Sequence, residues 1–385
     1  MTQPMSGRAT VHTSRDTTHR IVVLGAGYAG LGAAKRLARG LRSTDVRLTL
    51  VDRGERFVER VRLHQLASGQ DLEARPLFEV LAGTGVELVV ATVTGIDLDG
   101  QTVHLDTAPH ALPYDVLVYA LGSGADLGAV PGVREHAFSI ADAESALQLR
   151  EHLADVAPGG PVVVAGGGLT GIEAAAELAE ARGDLRIDLV SASTPGGWLS
   201  EPARRHLHRA LDRLGVTVHA PRRITAVGPD AVLLDDGQEL AVAAVIWAAG
   251  FAVPGLAADA GLAVDARRRM VVDDHLRSVS HPRVYGIGDA AAAPTPGGTE
   301  ARMSCQTGLP MGQYLARQIA GTLDGRRPKP IRIRYVWQNI SLGRRDGVTQ
   351  FTRTDDTPLP LLLTGRASAW FKEAVTRGAA WTVTR

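Results

Sequence analysis

The apolar run Ile21-Val22-Val23-Leu24 is followed by a glycine-rich turn, a helical stretch from Gly30 to about Arg39, and a second apolar run from Val46 to Val51. Short unbroken apolar runs flanked by glycine read as strands covered on both faces, and strand–turn–helix–strand opens a βαβ unit. The pattern returns about 140 residues later. There Pro161–Ala165 reads as a strand, Gly171 to about Ala181 as a helix and Arg186–Val190 as a strand. Two copies of one unit predict two Rossmann-like domains rather than a single large sheet.

The likeness between the halves continues. Short alternating segments between Val86 and Leu105, with a turn at Asp99-Gly100, precede the strand Tyr114–Ala120, which ends at Gly122. In the second half Ala231 to Leu240, with a turn at Asp236-Gly237, precedes Ala244–Ala249, which ends at Gly250. The chain then returns to a strand at Val284–Ile287, the pair Gly288-Asp289, and a helix over 302–320 interrupted by Pro310. The expected fold class is α/β, with two three-layer Rossmann-like domains, the second inserted in the first. The first domain spans 20–127 and 256–326, and the second 128–255. Residues 1–19 are expected to form a disordered extension, and Arg326 to Pro330 a linker. In the tail, 327–385, Ile331 to Phe351 alternates like a hairpin turning at Arg344 to Gly347. Arg366 to Arg377 has apolar residues at 367, 370, 371, 374 and 375, the spacing of an amphipathic helix.

Composition narrows the function classes. Lys plus Arg number 42 against 41 Asp plus Glu, which argues against a nucleic-acid binder with its basic field. Cys305 is the only cysteine, so an intrachain disulfide, an internal redox-active cysteine pair and CxxC zinc sites are all excluded. No metal site is expected. Neither a secretory h-region nor a run of about 18 apolar residues is present. A cytoplasmic protein, peripheral at the inner face of the membrane if it meets one, is expected.

The chemistry lies in the glycine motifs. In Gly25-Ala26-Gly27-Tyr28-Ala29-Gly30, Gly25 permits the tight turn, Gly27 lets a pyrophosphate approach the backbone, and Gly30 lets helix and strand pack closely. The helix N-terminus faces the phosphates with unpaired N–H groups. Asp52, at the end of the next strand, can accept hydrogen bonds from ribose hydroxyls. Gly166-Gly167-Gly168-Leu169-Thr170-Gly171 meets the same needs. Its strand ends at neutral Ser191, so the charge that favours NADH over NADPH is missing, and either cofactor is open. Arg204 and Arg205 could supply positive charge, or form a solvated helix face.

At these two loops, joined by Gly288-Asp289, the chain resembles the two-dinucleotide-binding-domain flavoproteins of the pyridine nucleotide–disulfide reductase superfamily. The strands ending at Gly122 and Gly250 resemble two further landmarks, although Leu121 stands where the family has Thr. The resemblance implies that the first domain binds FAD, with Asp289 on the ribityl chain, and that the second binds NADH or NADPH. Within the superfamily the chain looks most like the type II NADH dehydrogenases and their apoptosis-inducing-factor-like relatives. Gly171-Ile172-Glu173 matches their Gly-x-Glu, and Cys305-Gln306-Thr307-Gly308 loosely resembles their Gln-containing stretch beside the flavin and quinone. The CxxxxC of disulfide reductases is absent, and the tail is short.

That resemblance implies an FAD-dependent oxidoreductase taking hydride from NAD(P)H and passing electrons to a quinone or other small acceptor. Glu173, Gln306 and Lys372 are the candidate catalytic residues, against a helix-N-terminal carboxylate for Glu173 and a snorkelling surface lysine for Lys372. Cys305 and His64 are candidate neighbours of the flavin. A ferredoxin-type or tailoring oxidoreductase and a slow-turnover redox sensor stay open. So do monomer and homodimer, and a peripheral membrane contact through the last helix.

Overall fold

The computed structural model describes residues 18–41, 45–295, 301–323, 325–326 and 329–385. Most of the expected N-terminal extension, and Arg327-Pro328 of the expected linker, lie outside the described residues. The extension ends sooner than expected. Thr18 Oγ1 donates to Asp45 at 3.1 Å, and His19 already belongs to the first strand.

The first parallel sheet runs, edge to edge, Val284–Gly286, Val116–Tyr119, His19–Leu24, Val46–Asp52 and Glu87–Val90. The second runs Thr217–His219, Arg186–Val190, Pro161–Ala165, Ala244–Trp247 and Phe138–Ser139, also all parallel. Central strands of such sheets are covered by helices on both faces, so Ile21 to Leu24 and Val162 to Ala165 are buried without alternation. Val284–Gly286 joins the first sheet only after the second is complete in the chain, which makes the second domain an insertion in the first. The two crossings pair with each other, Gly124–Ala125 antiparallel to Phe251–Ala252.

Each parallel sheet has a three-stranded antiparallel companion, Val93–Asp97 with Thr102–Leu105 and Ala111–Pro113, and Ile224–Val227 with Ala231–Leu234 and Glu239–Ala241. The helices Tyr28–Gly40 and Leu169–Ala181 follow the glycine loops. Sequence reading passes over the helix Ala143–Asp155, whose Asp142 cap accepts from the Ser145 N–H at 2.9 Å. A long helix, Cys305–Leu323 with Pro310 inside it, packs on Tyr28–Gly40.

The tail differs from expectation. It is a three-stranded antiparallel sheet rather than a hairpin, Trp337–Ser341, Gly347–Thr352 and Pro358–Thr364, followed by a helix over Gly365–Thr384. The third strand, Pro-Leu-Pro-Leu-Leu-Leu-Thr, has prolines and no strict alternation, because it is an edge strand that needs few donors. The helix buries Ser368, Thr376, Ala380 and Val383, while Trp370 is 82 % exposed. Its expected apolar face is thus largely turned outward. The tail spans both domains: Ile340, Leu342 and Val348 join the core of the second, and Ala380 and Val383 that of the first.

Candidate functional site

The two glycine loops share one geometry. Gly25 and Gly166 have φ of +97° and +115°, a region that L side chains rarely adopt. A Cβ on Gly30 would overlap the Gly25 carbonyl oxygen, and one on Gly171 the Gly166 oxygen. At Gly27 and Gly168, by contrast, such a Cβ would meet no described residue beyond the loop's own neighbours within 4 Å. These two residues sit directly before 13-residue helices that have no side-chain cap. Open space against uncapped N–H groups and the positive end of a helix suits a pyrophosphate.

The strand ends differ. Asp52 accepts the Ala26 N–H at 2.6 Å with one oxygen and the Gly54 N–H at 2.8 Å with the other. Ser191 is buried, and its hydroxyl donates to the Ser193 carbonyl. Arg204 and Arg205 both pair with Glu201 on the exposed face of the helix Glu201–Arg213, so neither is an idle charge.

Gly122, Gly250 and Gly288 all have positive φ, at +68°, +108° and +73°, and turn the chain at the strand ends. Beyond Gly288, Asp289 accepts from Ser123 Oγ at 2.7 Å, and Arg60 Nη1 donates to the Ser123 carbonyl at 2.7 Å. The Arg60 guanidinium also lies 5.4 Å from the Phe251 ring centroid. Burial pulls its pKa down while Asp289 pulls it up. Its buried Nη2 has no hydrogen-bond partner among the described residues, and a donor of this kind fits a ligand acceptor. Cys305 sits nearby. Burial, then Asp289, pushes its thiol up to about 11, so it is no thiolate at neutral pH. Tyr28 has a buried hydroxyl in the same region, without a partner among the described residues.

Glu173 and Lys372 are brought together. Lys372 Nζ is in ion-pair contact with Glu173 Oε1, which also accepts the Ser341 N–H at 2.9 Å. The contact joins the helix behind the second glycine loop to the tail helix and tail sheet. Burial and then Arg62 push the Lys372 ammonium down to about 7, with Glu373 opposing them. Its side chain is on the inner face of the tail helix, so the snorkelling-lysine expectation fails. His64 is close enough to feel the Lys372 charge. It is buried, and desolvation followed by Lys372 holds it well below its ordinary range, so it stays neutral. Glu373 anchors the helix to Arg62 at 2.7 Å, with Arg344 at 3.2 Å.

Gln306 lies apart from that pair. Its side-chain oxygen accepts from Arg302 at 2.9 Å, and Arg302 reaches Asp356 at 3.1 Å and stacks 4.0 Å from the Tyr335 ring centroid. Gln306 is thus tied to the tail through Arg302.

The sequence profile of the pyridine nucleotide-disulphide oxidoreductase family matches residues 19–312. The chain belongs to this family. As a pyridine nucleotide-disulphide oxidoreductase it is an enzyme that uses FAD and a nicotinamide dinucleotide. It is 35 % identical over 349 residues to an NADH dehydrogenase-like protein of Mycobacterium tuberculosis, covering 86 % of this chain and 87 % of the relative. It is 27 % identical over 388 residues to a type II NADH:quinone oxidoreductase of Staphylococcus haemolyticus, covering 92 % and 94 %. Among solved structures, NDH2 from Plasmodium falciparum in complex with NADH superposes with a TM-score of 0.81 at 16 % identity, covering 95 % and 96 %. The sulfide:quinone oxidoreductase of Aquifex aeolicus gives 0.81 at 22 % identity, covering 95 % and 91 %.

Sequence reading misses Arg60, Ser123, Arg62 and the Ser341 N–H. Ser123 follows Gly122 and could have been noticed. Nothing local distinguishes Arg60 or Arg62 from the other arginines.

Proposed function

We propose that this flavoprotein is a type II NADH:quinone oxidoreductase-like enzyme that oxidises a reduced nicotinamide cofactor and delivers the electrons to a quinone. Bound FAD supplies the hydride acceptor and the electron donor, chemistry that the side chains themselves lack. The glycine loops at Gly25–Gly30 and Gly166–Gly171 hold the pyrophosphates. Asp52 orders the first loop, and Asp289, fixed by Ser123, orients the ribityl chain. Gly122, Gly250 and Gly288 make the turns that bring the strand ends to the cofactors.

The observation that carries the reading is the Glu173–Lys372 contact. Quinone reduction takes up protons, and a buried ammonium with a pKa near 7, touching a carboxylate, can give and regain a proton at Nζ. Cys305 cannot pass electrons to an internal partner, since no second cysteine exists. Electrons therefore leave the flavin for an outside acceptor. Gln306, held by Arg302, is assigned to orienting that acceptor.

In the same reading the outer face of the tail meets a membrane surface, where a quinone is found. Trp370 and Trp381 are exposed, Leu361 with them, and Arg366 and Arg377 flank the helix. Among the described residues no helix is long and apolar enough to cross a membrane.

Anaerobic stopped-flow tests the whole reading. NADH should bleach the flavin band rapidly, and a soluble quinone should restore it rapidly. Bleaching without recovery by quinone, but with recovery by an oxidised ferredoxin, would replace the acceptor. Bleaching with no recovery by either would leave the sensor reading in its place.

A further inference from the structure

The backbone lets the two glycine loops be aligned residue by residue. Gly25 N–H donates to the Val51 carbonyl at 2.7 Å, and Gly166 N–H to the Val190 carbonyl at 2.8 Å. One residue on, the Asp52 carbonyl accepts the Ala91 N–H at 2.9 Å, and the Ser191 carbonyl accepts the Arg222 N–H at 2.8 Å. Ser191 therefore stands where the first domain has Asp52, and Arg222 where it has Ala91.

Both differences point the same way. An acid at this station takes the ribose 2′-hydroxyl and repels a 2′-phosphate. Ser191 carries no charge, and its hydroxyl turns to Ser193 at 2.5 Å. Ala91 contributes no charge either, whereas Arg222 begins from a backbone hydrogen-bonded to Ser191. The Arg222 guanidinium is half-exposed, with Nε on Asp236 at 2.6 Å and Nη1 on the Pro221 carbonyl at 2.9 Å. Asp236 is itself open to solvent, and exposed pairs of this kind contribute little, so the guanidinium can turn to a stronger anion. A phosphate is that anion, since guanidinium and phosphate match as a two-point pair.

We infer that the second domain binds NADPH about as readily as NADH, with Ser191 removing the charge that would exclude the 2′-phosphate and Arg222 supplying the charge that receives it. The inference rests on the assignment of the second domain to the nicotinamide cofactor.

The test is equilibrium titration of the flavin-loaded protein with NADP+ and with NAD+, which bind without turnover and are read by calorimetry. Wild type is expected to bind NADP+ within about tenfold of NAD+. Ser191→Asp copies the first domain's residue and is expected to weaken NADP+ by at least about tenfold while holding NAD+. Arg222→Ala, at an exposed position, is expected to weaken NADP+ alone. Retained flavin and an unchanged melting temperature show that each variant is folded. An NADP+ affinity more than about tenfold below that of NAD+ in wild type overturns the inference. If Ser191→Asp acts and Arg222→Ala does not, Arg222 is removed from it. Binding of neither nucleotide to the flavin-loaded protein overturns the nicotinamide assignment itself, a separate failure.

Discussion

The two Rossmann-like domains are one device used twice, and they differ most at the strand ends beside the glycine loops and where they meet the tail. Their loops turn on matching glycines, and the helices behind those loops have the same length. Yet Asp52 closes the first loop through two backbone N–H groups, and Ser191 leaves the second uncharged. Two residues beyond the last glycine of each motif the helices part again. The first has Gly32, where a Cβ would already press on Val383 of the tail helix, and the second has Glu173, which holds Lys372 of the same helix. A shared backbone geometry thus builds both loops, and single side chains at matched stations set them apart.

The largest effect should come from filling one cradle at a time. Gly27 and Gly168 have extended backbones and open space around a would-be Cβ, so valine should fold at either place. Gly27→Val should lose the flavin outright. Gly168→Val should keep the yellow colour and lose reduction by NADH by at least about a hundredfold. Absorbance and stopped-flow bleaching check both, and flavin loss from Gly168→Val would break the division of labour.

Next comes Lys372→Met. Reduction of the flavin should be little changed, while reoxidation by quinone slows by about a hundredfold. In wild type, reoxidation should fall as pH rises through about 7, where Nζ loses its proton, and the variant should show a flat profile. The same group affects stability. Its folded pKa is below the ordinary 10.5, so between about 7 and 10.5 the unfolded chain binds more protons and this group makes stability rise with pH. Urea midpoints across that window should rise less in the variant.

A smaller effect is expected of Asp52→Ser, which leaves the Ala26 and Gly54 N–H groups short of acceptors and should cost about 1–2 kcal/mol. Urea unfolding of the flavin-free protein reads it directly.

The smallest belongs to Glu373→Gln. Burial works to raise this carboxyl, but hydrogen bonds from Arg62, Arg377 and Arg344 outweigh it and hold the pKa at about 2. The pair's contribution is present above about 4.5 and lost as pH falls toward 2. Solvent screening keeps it to about 1 kcal/mol. Acid unfolding of wild type, compared with the variant, should show that difference.

The parallel strands and the helices behind the glycine loops were legible because each rests on local pattern, and the insertion of one domain in the other because the order of landmarks resembles a known family. Apolar runs mark doubly covered strands, and glycines mark turns that other residues cannot make. The tail was misread for the same reason. Pro358–Thr364 lacks alternation, and the inner face of the last helix carries Ser368, Lys372 and Thr376 rather than apolar residues. The spacing of Trp370 and Phe371 shows that a face exists, but not which side the neighbouring domains cover.

Alone, then, the sequence determined two nucleotide folds, their order, the glycine and acid positions and the absence of a dithiol. These follow from backbone sterics and from counting, which need no neighbours. Only the tertiary structure decided that Lys372 touches Glu173, that Arg60 braces Ser123 beside Asp289, and that Arg222 starts beside Ser191. Those pairs are separated by 31 to 199 residues, and no local periodicity fixes which distant charges the packing brings into one low-dielectric place.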